Sequence, residues 1–311
     1  MEVREVLWPD GKKFAFTIFD DTDLATVENV SGVYSHLADL GFRITKSVWP
    51  SSPTGKAITG GSTCADRDYL KWVLALQTQG FEIAFHMNSD CTSVRSQTLQ
   101  GLTRFEYLFG HPPQSMANHS GCRENLYWGE DRLSGVNRLI YRLLTRGRNT
   151  GKYVGHVEDD PLFWGDLCAK RIQYCRNFVF PEINTLKVCP FMPYHDDTRP
   201  MVNAWFASSE GSERSAFISL LAEANQDRLE EEGGACIVYT HLAVGFWTPS
   251  GLDRRYSSLM ERLASKNGWF VPVSTLMDYL EAKNGRHVIT GRERRKLERR
   301  WLAHKFKVGT S

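Results

Sequence analysis

The sequence predicts an α/β protein built on a parallel sheet or barrel. Short apolar runs alternate along the chain with longer stretches whose apolar residues recur at helical spacing. A glycine follows each of the first predicted helices, where a left-handed residue commonly ends a helix. This alternation is typical of βαβ units, in which a helix carries the chain back between parallel strands.

The N-terminal part of the chain shows the alternation most clearly. The predicted strands are 13–19, 42–48, 81–85 and 114–117, and the predicted helices are 27–40, 68–79 and 94–109. Later strands are predicted at 235–240 and 269–272, with helices at 212–232 and 252–266. Residues 120–205 are less regular and rich in proline and aromatic residues, so we interpret them as active-site loops with further strands.

The composition is that of a folded domain of enzyme size. Of the 311 residues, 41% are apolar and 12% aromatic, which supports a sizeable core and excludes intrinsic disorder. The 38 basic and 36 acidic residues give a net charge of +2, too balanced for nucleic-acid binding by the whole protein.

The cysteines and the apolar runs indicate in which cellular compartment the protein is expected. The seven cysteines are odd in number and contain no Cys-x-x-Cys pair, so we expect reduced thiols. No apolar run approaches the roughly 18 residues of a membrane span, and the N-terminus has no apolar core of a signal peptide. We therefore expect a cytoplasmic protein.

The C-terminal segment differs in charge from the rest. Between residues 286 and 307 there are nine Lys or Arg and two Glu, a local charge of +7 that leaves −5 for the remainder. The chain is thus expected to consist of a barrel domain over 1–284 and a basic helical tail over 285–311.

The tail sequence Thr290-Gly-Arg-Glu293 fits a capping box that begins a helix. One interpretation is a solvated helix docked through Leu297 and Trp301. The other is contact with an anionic surface, either membrane headgroups or an acidic partner.

Ionisable residues follow several predicted strands, and the carboxyl ends of parallel strands meet at one edge where active sites form. Asp20, Asp21 and Asp23 place three acids within four residues after the first strand. A cation would remove their mutual repulsion. Asp23 fits the alternative role of a helix cap well, whereas Asp20 and Asp21 exceed what a cap needs.

The third and fourth strands end in further candidates. His86 and Asp90 are four residues apart and would face the same way if the chain is helical there. Imidazole and carboxylate together suit zinc and other first-row metals. His119 is a candidate ligand or substrate contact and Arg123 could pair with an acid, although Asn118 to Gly121 also fits a simple turn.

The last candidate strand ends at His241, a position suited to a general acid. Phe246 and Trp247 follow it and would either stack on a sugar or pack against the next helix. The glycine-rich dinucleotide motif, the P-loop and the Gly-x-Ser-x-Gly motif are all absent from the sequence.

The order of these motifs resembles that of the polysaccharide deacetylase family, the NodB-homology carbohydrate esterases. Ile18-Phe19-Asp20-Asp21 is similar to the family's Thr-Phe-Asp-Asp motif, and 81–90 stands where its His-Ser/Thr-x-x-His motif is expected. The segment 109–119 occupies the place of the Arg-Pro-Pro-Tyr-Gly type, and Tyr239-Thr-His241 is similar to Leu-x-His. The resemblance spans roughly residues 13–282, with weak coverage of 122–234.

The resemblance implies a deformed (β/α)7 barrel and a set of residue roles. Asp20 would be the general base and His241 the general acid. Asp21 and His86 would bind the metal. The family's second histidine is replaced by Asp90, so either Asp90 or His119 would be the third ligand. The resemblance implies a divalent ion, zinc in most of the family, with cobalt, nickel or manganese also suited to an Asp-His-Asp set.

The implied function is metal-dependent removal of an N-acetyl group from a sugar that is nucleotide-linked, lipid-linked or part of an oligosaccharide. Arg123 and Trp247 would contact this carbohydrate, and the basic tail would make a peripheral membrane contact. Two alternatives stay open: an inactive barrel of the same fold that binds glycans or acts as a scaffold, and a hydrolase of another amide.

Overall fold

Seven parallel strands close into a barrel in the computed structural model, which describes residues 6–309. The barrel strands are β1 (Phe14–Asp20), β2 (Thr45–Val48), β3 (Glu82–Phe85), β4 (Ser115–Ala117), β5 (Tyr174–Phe180), β7 (Ala204–Glu210) and β8 (Ala235–Thr240). They pair in this order, and β8 closes on β1 in parallel register from Ala15 opposite Ala235 to Asp20 opposite Thr240. The predicted (β/α)7 barrel is confirmed.

Shorter strands lie outside the closed barrel. They are β6 (Tyr194–His195), β9 (Trp247–Thr248), β10 (Gly251–Leu252), β11 (Gly268–Phe270) and β12 (His287–Val288). The closed barrel is irregular, since the pairing of β5 with β7 shifts register between Arg176 and Val179.

Helices surround the barrel. They are α1 (Val27–Asp39), α2 (Arg67–Thr78), α3 (Arg95–Phe109), α4 (Gly135–Leu144), α5 (Gly165–Arg171), α6 (Thr185–Val188), α7 (Arg214–Leu220), α8 (Glu223–Glu231), α9 (Arg254–Ala264), α10 (Val273–Asn284) and α11 (Gly291–Val308). Two short 3-10 helices cover Pro9–Gly11 and Gly129–Arg132. Within residues 6–309, no helix combines the length and the apolar character that a membrane crossing requires.

Most predicted helices lie within two residues of the observed ones, but the single helix expected over 212–232 is wrong. The structure divides it into α7 and α8. The side-chain amide of Asn225 donates to the carbonyls of Ser219 and Leu220, and that of Gln226 donates to Leu221. These bonds satisfy the carbonyls at the end of α7, where an uninterrupted helix would have used backbone N–H groups.

The barrel strands are buried on both faces, as is typical of parallel sheets covered by helices. Every residue of β1 is buried, including the polar Thr17 and the terminal Asp20. A wholly buried carboxylate requires a compensating partner, because removing its charge from water is costly.

Lys46 on the neighbouring strand β2 is that partner. Its ammonium lies 2.8 Å from Oδ2 of Asp20, and both side chains are fully buried. The Tyr34 hydroxyl donates to the same oxygen at 2.7 Å, and the backbone N–H of Leu242 donates to Oδ1 at 2.8 Å. The carboxylate of Asp20 is thus saturated by groups that join α1, β2 and the end of β8 to β1.

The C-terminal helix α11 is docked on the barrel. Trp301 is fully buried, Leu297 and Leu302 are nearly so, and the capping box of Thr290 with Glu293 is present. Arg294 is buried in an ion pair with Asp196. The apolar contacts expected for a docked tail are therefore present.

Substitution of Lys46 by methionine is expected to lower the free energy of unfolding by about 3–5 kcal/mol, since it leaves Asp20 buried without its counter-charge. Urea denaturation measures this loss. The matched control is Arg255→Met, which breaks the exposed pair of Arg255 with Glu223 and should have a much smaller effect. Similar losses from the two substitutions would contradict the role of the buried pair.

Candidate active site and metal centre

A cavity of about 640 Å³ opens at the carboxyl ends of the barrel strands. Strands β1, β3, β4, β5 and β8, or the residues that directly follow them, contribute ionisable side chains to it. These include Asp21, Asp23, His86, His119, Arg176 and His241. The strand-end residues predicted from the sequence are thus largely brought together, as the geometry of a parallel barrel requires.

Asp23 lies at the centre of this group. Its Oδ2 is 3.1 Å from Nε2 of His86, and its Oδ1 is 3.3 Å from Nδ1 of His119. The three side chains are buried and offer ligand atoms that all lie within 4.8 Å of one another. One carboxylate and two imidazoles at this spacing form a donor set suited to a transition-metal ion.

The hydrogen bond between His119 and Asp90 indicates which nitrogen of His119 has a lone pair directed at Asp23. Nε2 of His119 lies 2.8 Å from Oδ1 of Asp90, so Nε2–H donates to that carboxylate. Nδ1 then presents its lone pair toward Asp23 and, within residues 6–309, has no hydrogen-bond partner. Histidines that bind metals usually donate their other N–H to a carboxylate in this way, so the residues fit a divalent cation.

A proton would compete with that cation for His119. Burial alone lowers the pKa of His119, but the carboxylates of Asp90 and Asp23 more than offset this effect and raise the pKa above its ordinary value. The same two carboxylates that favour a proton on the imidazole also favour a metal ion.

Asp90 supports His119 instead of facing the acids of β1. Residues 86–90 are not helical, and Met87 has a positive φ of 64°, so the expected helical arrangement of His86 and Asp90 is wrong. The backbone N–H groups of Thr59 and Gly60 donate to the Asp90 carboxylate at 3.1 and 2.6 Å. Of the two candidates for a third ligand, His119 is the one that faces the acids.

The adjacent carboxylates of Asp20 and Asp21 point to different surroundings. Asp20 does not line the cavity, because its side chain points to the helix-covered face of β1, where Lys46 and Tyr34 of α1 hold it. Asp21 lines the cavity, and Arg176 donates to both of its oxygens at 2.7 and 2.6 Å. Burial would raise the pKa of Asp21, but Arg176 holds it below the ordinary value, so the group stays ionised.

His241 is a third imidazole near Asp23. Its Nδ1 is 2.6 Å from the carbonyl oxygen of Ser212, so Nδ1–H donates there and Nε2 is left facing the cavity. Nε2 lies 3.7 Å from Oδ2 of Asp23, beyond hydrogen-bond distance. This orientation leaves Nε2 available to exchange a proton with a bound molecule.

Two residues predicted to contact substrate lie outside the cavity. Arg123 is exposed, and its backbone N–H donates to Thr92. Trp247 packs on Gly32 of α1 so closely that an added Cβ would lie 2.1 Å from its ring. The alternative prediction for Trp247 is packing against the next helix; Trp247 does pack against a helix, but that helix is α1 and not α9.

The sequence interpretation missed the roles of Asp23 and Arg176. Thr26 and Asn29 form the capping box at the start of α1, so Asp23 is not needed as a cap. The Thr-x-x-Asn pattern could have revealed this. Arg176 is an ionic residue inside the fully buried strand β5, which is a signal for a buried partner.

Comparison with known proteins gives a relationship at the level of structure. No family model and no curated protein sequence matches the chain. A structure from Mycobacterium smegmatis described as a polysaccharide deacetylase matches with a TM-score of 0.51 and 15% identity, over 92% of this chain and 96% of that one.

Two further structures match less closely. One is described as a polysaccharide deacetylase from Pseudomonas aeruginosa PAO1, with a TM-score of 0.48, 12% identity and coverage of 89% and 93% of the two chains. The other is Puue allantoinase, with a TM-score of 0.48, 11% identity and coverage of 88% and 92%. The resemblance indicated by the motifs is thus confirmed for the fold: this chain is built on the barrel found in polysaccharide deacetylase structures.

Proposed function

We propose that this chain is a metal-dependent hydrolase that removes the N-acetyl group from a sugar. The observation that carries the proposal is the bare Nδ1 of His119, held toward Asp23 by the hydrogen bond from Nε2 to Asp90. The fold shared with a structure described as a polysaccharide deacetylase supports the same reaction class.

Asp23, His86 and His119 would hold the ion. This set replaces the one implied by the motifs, because Asp21 is engaged by Arg176 and Asp90 lies behind His119. Two imidazoles and one carboxylate suit zinc, and also cobalt, nickel or manganese. When bound, such an ion supplies Lewis acidity that polarises a carbonyl and lowers the pKa of water.

Asp21 takes the role of general base in this proposal, in place of Asp20. Its carboxylate lines the cavity, is ionised, and is held in one orientation by the two hydrogen bonds from Arg176. It would accept the proton of the water that attacks the acetyl carbonyl. A carboxylate positioned in this way contributes about 10²–10⁴-fold to the rate.

His241 would supply the proton to the leaving amine. The Ser212 carbonyl holds Nδ1–H and directs Nε2 into the cavity, so the proton delivered is the one carried on Nε2. The acid and the base each have their own orienting partner, and ligand atoms of Asp21, Asp23 and His241 lie within 4.8 Å of one another.

The cavity is suited to a sugar in size and in lining. Its volume of about 640 Å³ lies in the usual range of small-molecule sites. Trp128 and Tyr239 line it, are partly exposed and offer aromatic surface to a pyranose ring.

Replacement of Asp23 by asparagine is expected to abolish stoichiometric metal binding, since it removes the central carboxylate. Asp90→Asn should weaken metal affinity by about 10–100-fold, because it acts only through His119. Metal content after equilibrium dialysis against zinc checks both, with the exposed Asp39→Asn as control. Wild-type metal content in Asp23→Asn would refute the assignment.

Replacement of Asp21 by asparagine should lower kcat for acetate release by about 10²–10⁴-fold while the metal content stays near that of the wild type. N-acetylhexosamine oligomers, nucleotide-linked sugars and glycolipids are the substrates to assay. An unchanged rate would remove Asp21 from the mechanism. Metal-loaded wild type that releases no acetate would favour the glycan-binding or scaffold alternative, and turnover of another amide would favour the other hydrolase.

We further propose a peripheral membrane contact at a surface formed by α4 and α11. The exposed apolar residues of α4 include Val136, Leu139 and Leu143, which are 72%, 56% and 72% exposed. Arg295 and Arg299 of α11 line a groove beside Val136. An apolar stripe with an arginine rim is complementary to an anionic lipid surface. The tail supplies the charge, and α4 supplies the apolar face.

Co-sedimentation with phosphatidylglycerol vesicles tests this surface. The double variant Leu139→Ser/Leu143→Ser should bind at least about tenfold more weakly than the wild type, because two exposed apolar side chains no longer enter the bilayer. Tyr107→Ser, which changes an 86% exposed aromatic residue on α3, is the control and should bind as the wild type does. Equal binding of the double variant and the control would contradict the proposal.

A further inference from the structure

Arg132 is a buried cation in the wall of the cavity. It ends the 3-10 helix Gly129–Arg132, and only 3% of the residue is exposed. Its Cζ lies 3.5 Å from the ring centroid of Trp128 and 4.7 Å from that of Trp301. The two tryptophans stack on the guanidinium and hold its plane, while the group itself borders the cavity.

Two nitrogens of the Arg132 guanidinium are left without an acceptor by the residues that the structure describes. These are Nε and Nη2, which make no hydrogen bond within residues 6–309. The other buried arginines of this region differ, since Arg176 is paired with Asp21, and Arg294 with Asp196. Burial lowers the pKa of Arg132 to about 10, so it remains charged at neutral pH. A buried charge without a partner is costly, which calls for a ligand that supplies one.

The other charges of the cavity are balanced among themselves. Asp21 is paired with Arg176, and Glu210 lies 3.6 Å from Lys305 of α11. Asp23 is directed to the two imidazoles. Among the described residues of the lining, Arg132 is the cation that has no carboxylate partner. A divalent ion at Asp23 would make the cavity still more positive.

We propose that Arg132 binds an anionic group of the substrate, so that the substrate is an acidic sugar derivative carrying a phosphoryl or carboxylate group. A guanidinium donates charge-assisted hydrogen bonds to either group. The stacked tryptophans fix its orientation. That the bound anion is part of a substrate rests on the proposed hydrolase function, whereas the anion site itself rests on Arg132 alone.

Equilibrium binding to the full-length, EDTA-treated protein tests the anion site without metal or turnover. The probes are inorganic phosphate, glucuronate and neutral N-acetylglucosamine. The wild type should bind at least one of the two anions saturably. Arg132→Gln should weaken that binding by about 10–100-fold, the usual effect of losing charge-assisted hydrogen bonds. The larger loss, on phosphate or on glucuronate, identifies the anion.

Two further variants separate binding from folding. Arg254→Gln removes an exposed arginine of α9 and should bind the anion as the wild type does. Arg132→Lys keeps the charge without the planar fork and should give an intermediate affinity. Arg132→Gln should retain the thermal midpoint, because it removes an unpaired buried charge, whereas a merely structural arginine would lower the midpoint and leave anion binding unchanged.

The proposal is overturned if the wild type binds neither anion, or if Arg132→Gln binds as tightly as the wild type. Anion binding that depends on Arg132 in a protein that releases no acetate would reject the hydrolase function and keep the anion site. Neutral N-acetylglucosamine binding that changes equally in Arg132→Gln would also contradict a charge-specific role.

Discussion

The end of β1 carries three carboxylates within four residues, and the structure depends on giving each a different partner. Asp20 is neutralised by Lys46 beneath helix α1, Asp21 by Arg176 at the cavity wall, and Asp23 faces two imidazoles. Since these acids cannot all be buried without compensation, the barrel brings basic groups from β2, β3, β4 and β5 to one strand end. The candidate chemistry follows from this division.

The three carboxylates also differ in what they contribute: one stabilises the fold and two are available to the cavity. The carboxylate of Asp20 is shielded and fully hydrogen-bonded, so it contributes to the joining of β1, β2 and α1. The carboxylates of Asp21 and Asp23 border the cavity, and neighbouring side chains orient them toward it. Adjacent residues of one motif therefore serve distinct ends, because successive side chains of a strand point to opposite faces.

Much of the fold could be predicted from the sequence, since periodicity and terminal glycines are local signals. The helices α1, α2 and α3 and the convergence of strand ends on one site followed from them. The roles of Asp20 and Asp23 could not be predicted in this way. They depend on the proximity of Asp20 to Lys46 and of Asp23 to His119, and sequence spacing does not reveal these distances. Arg123 was favoured by its proximity in sequence to His119, but a loop residue next to a site in sequence can point into solvent.

The buried pair of Asp20 and Lys46 has a consequence for how the protein would handle its ion. Small metal-binding domains such as zinc fingers unfold when a chelator removes the metal, because metal binding supplies most of their folding free energy. Here the scaffold beneath the centre is completed by protein charges, and the ligand side chains are oriented by Asp90 and Arg176. The barrel around the candidate centre is therefore preorganised without an ion, and an ion held there would be exchangeable without unfolding of the protein.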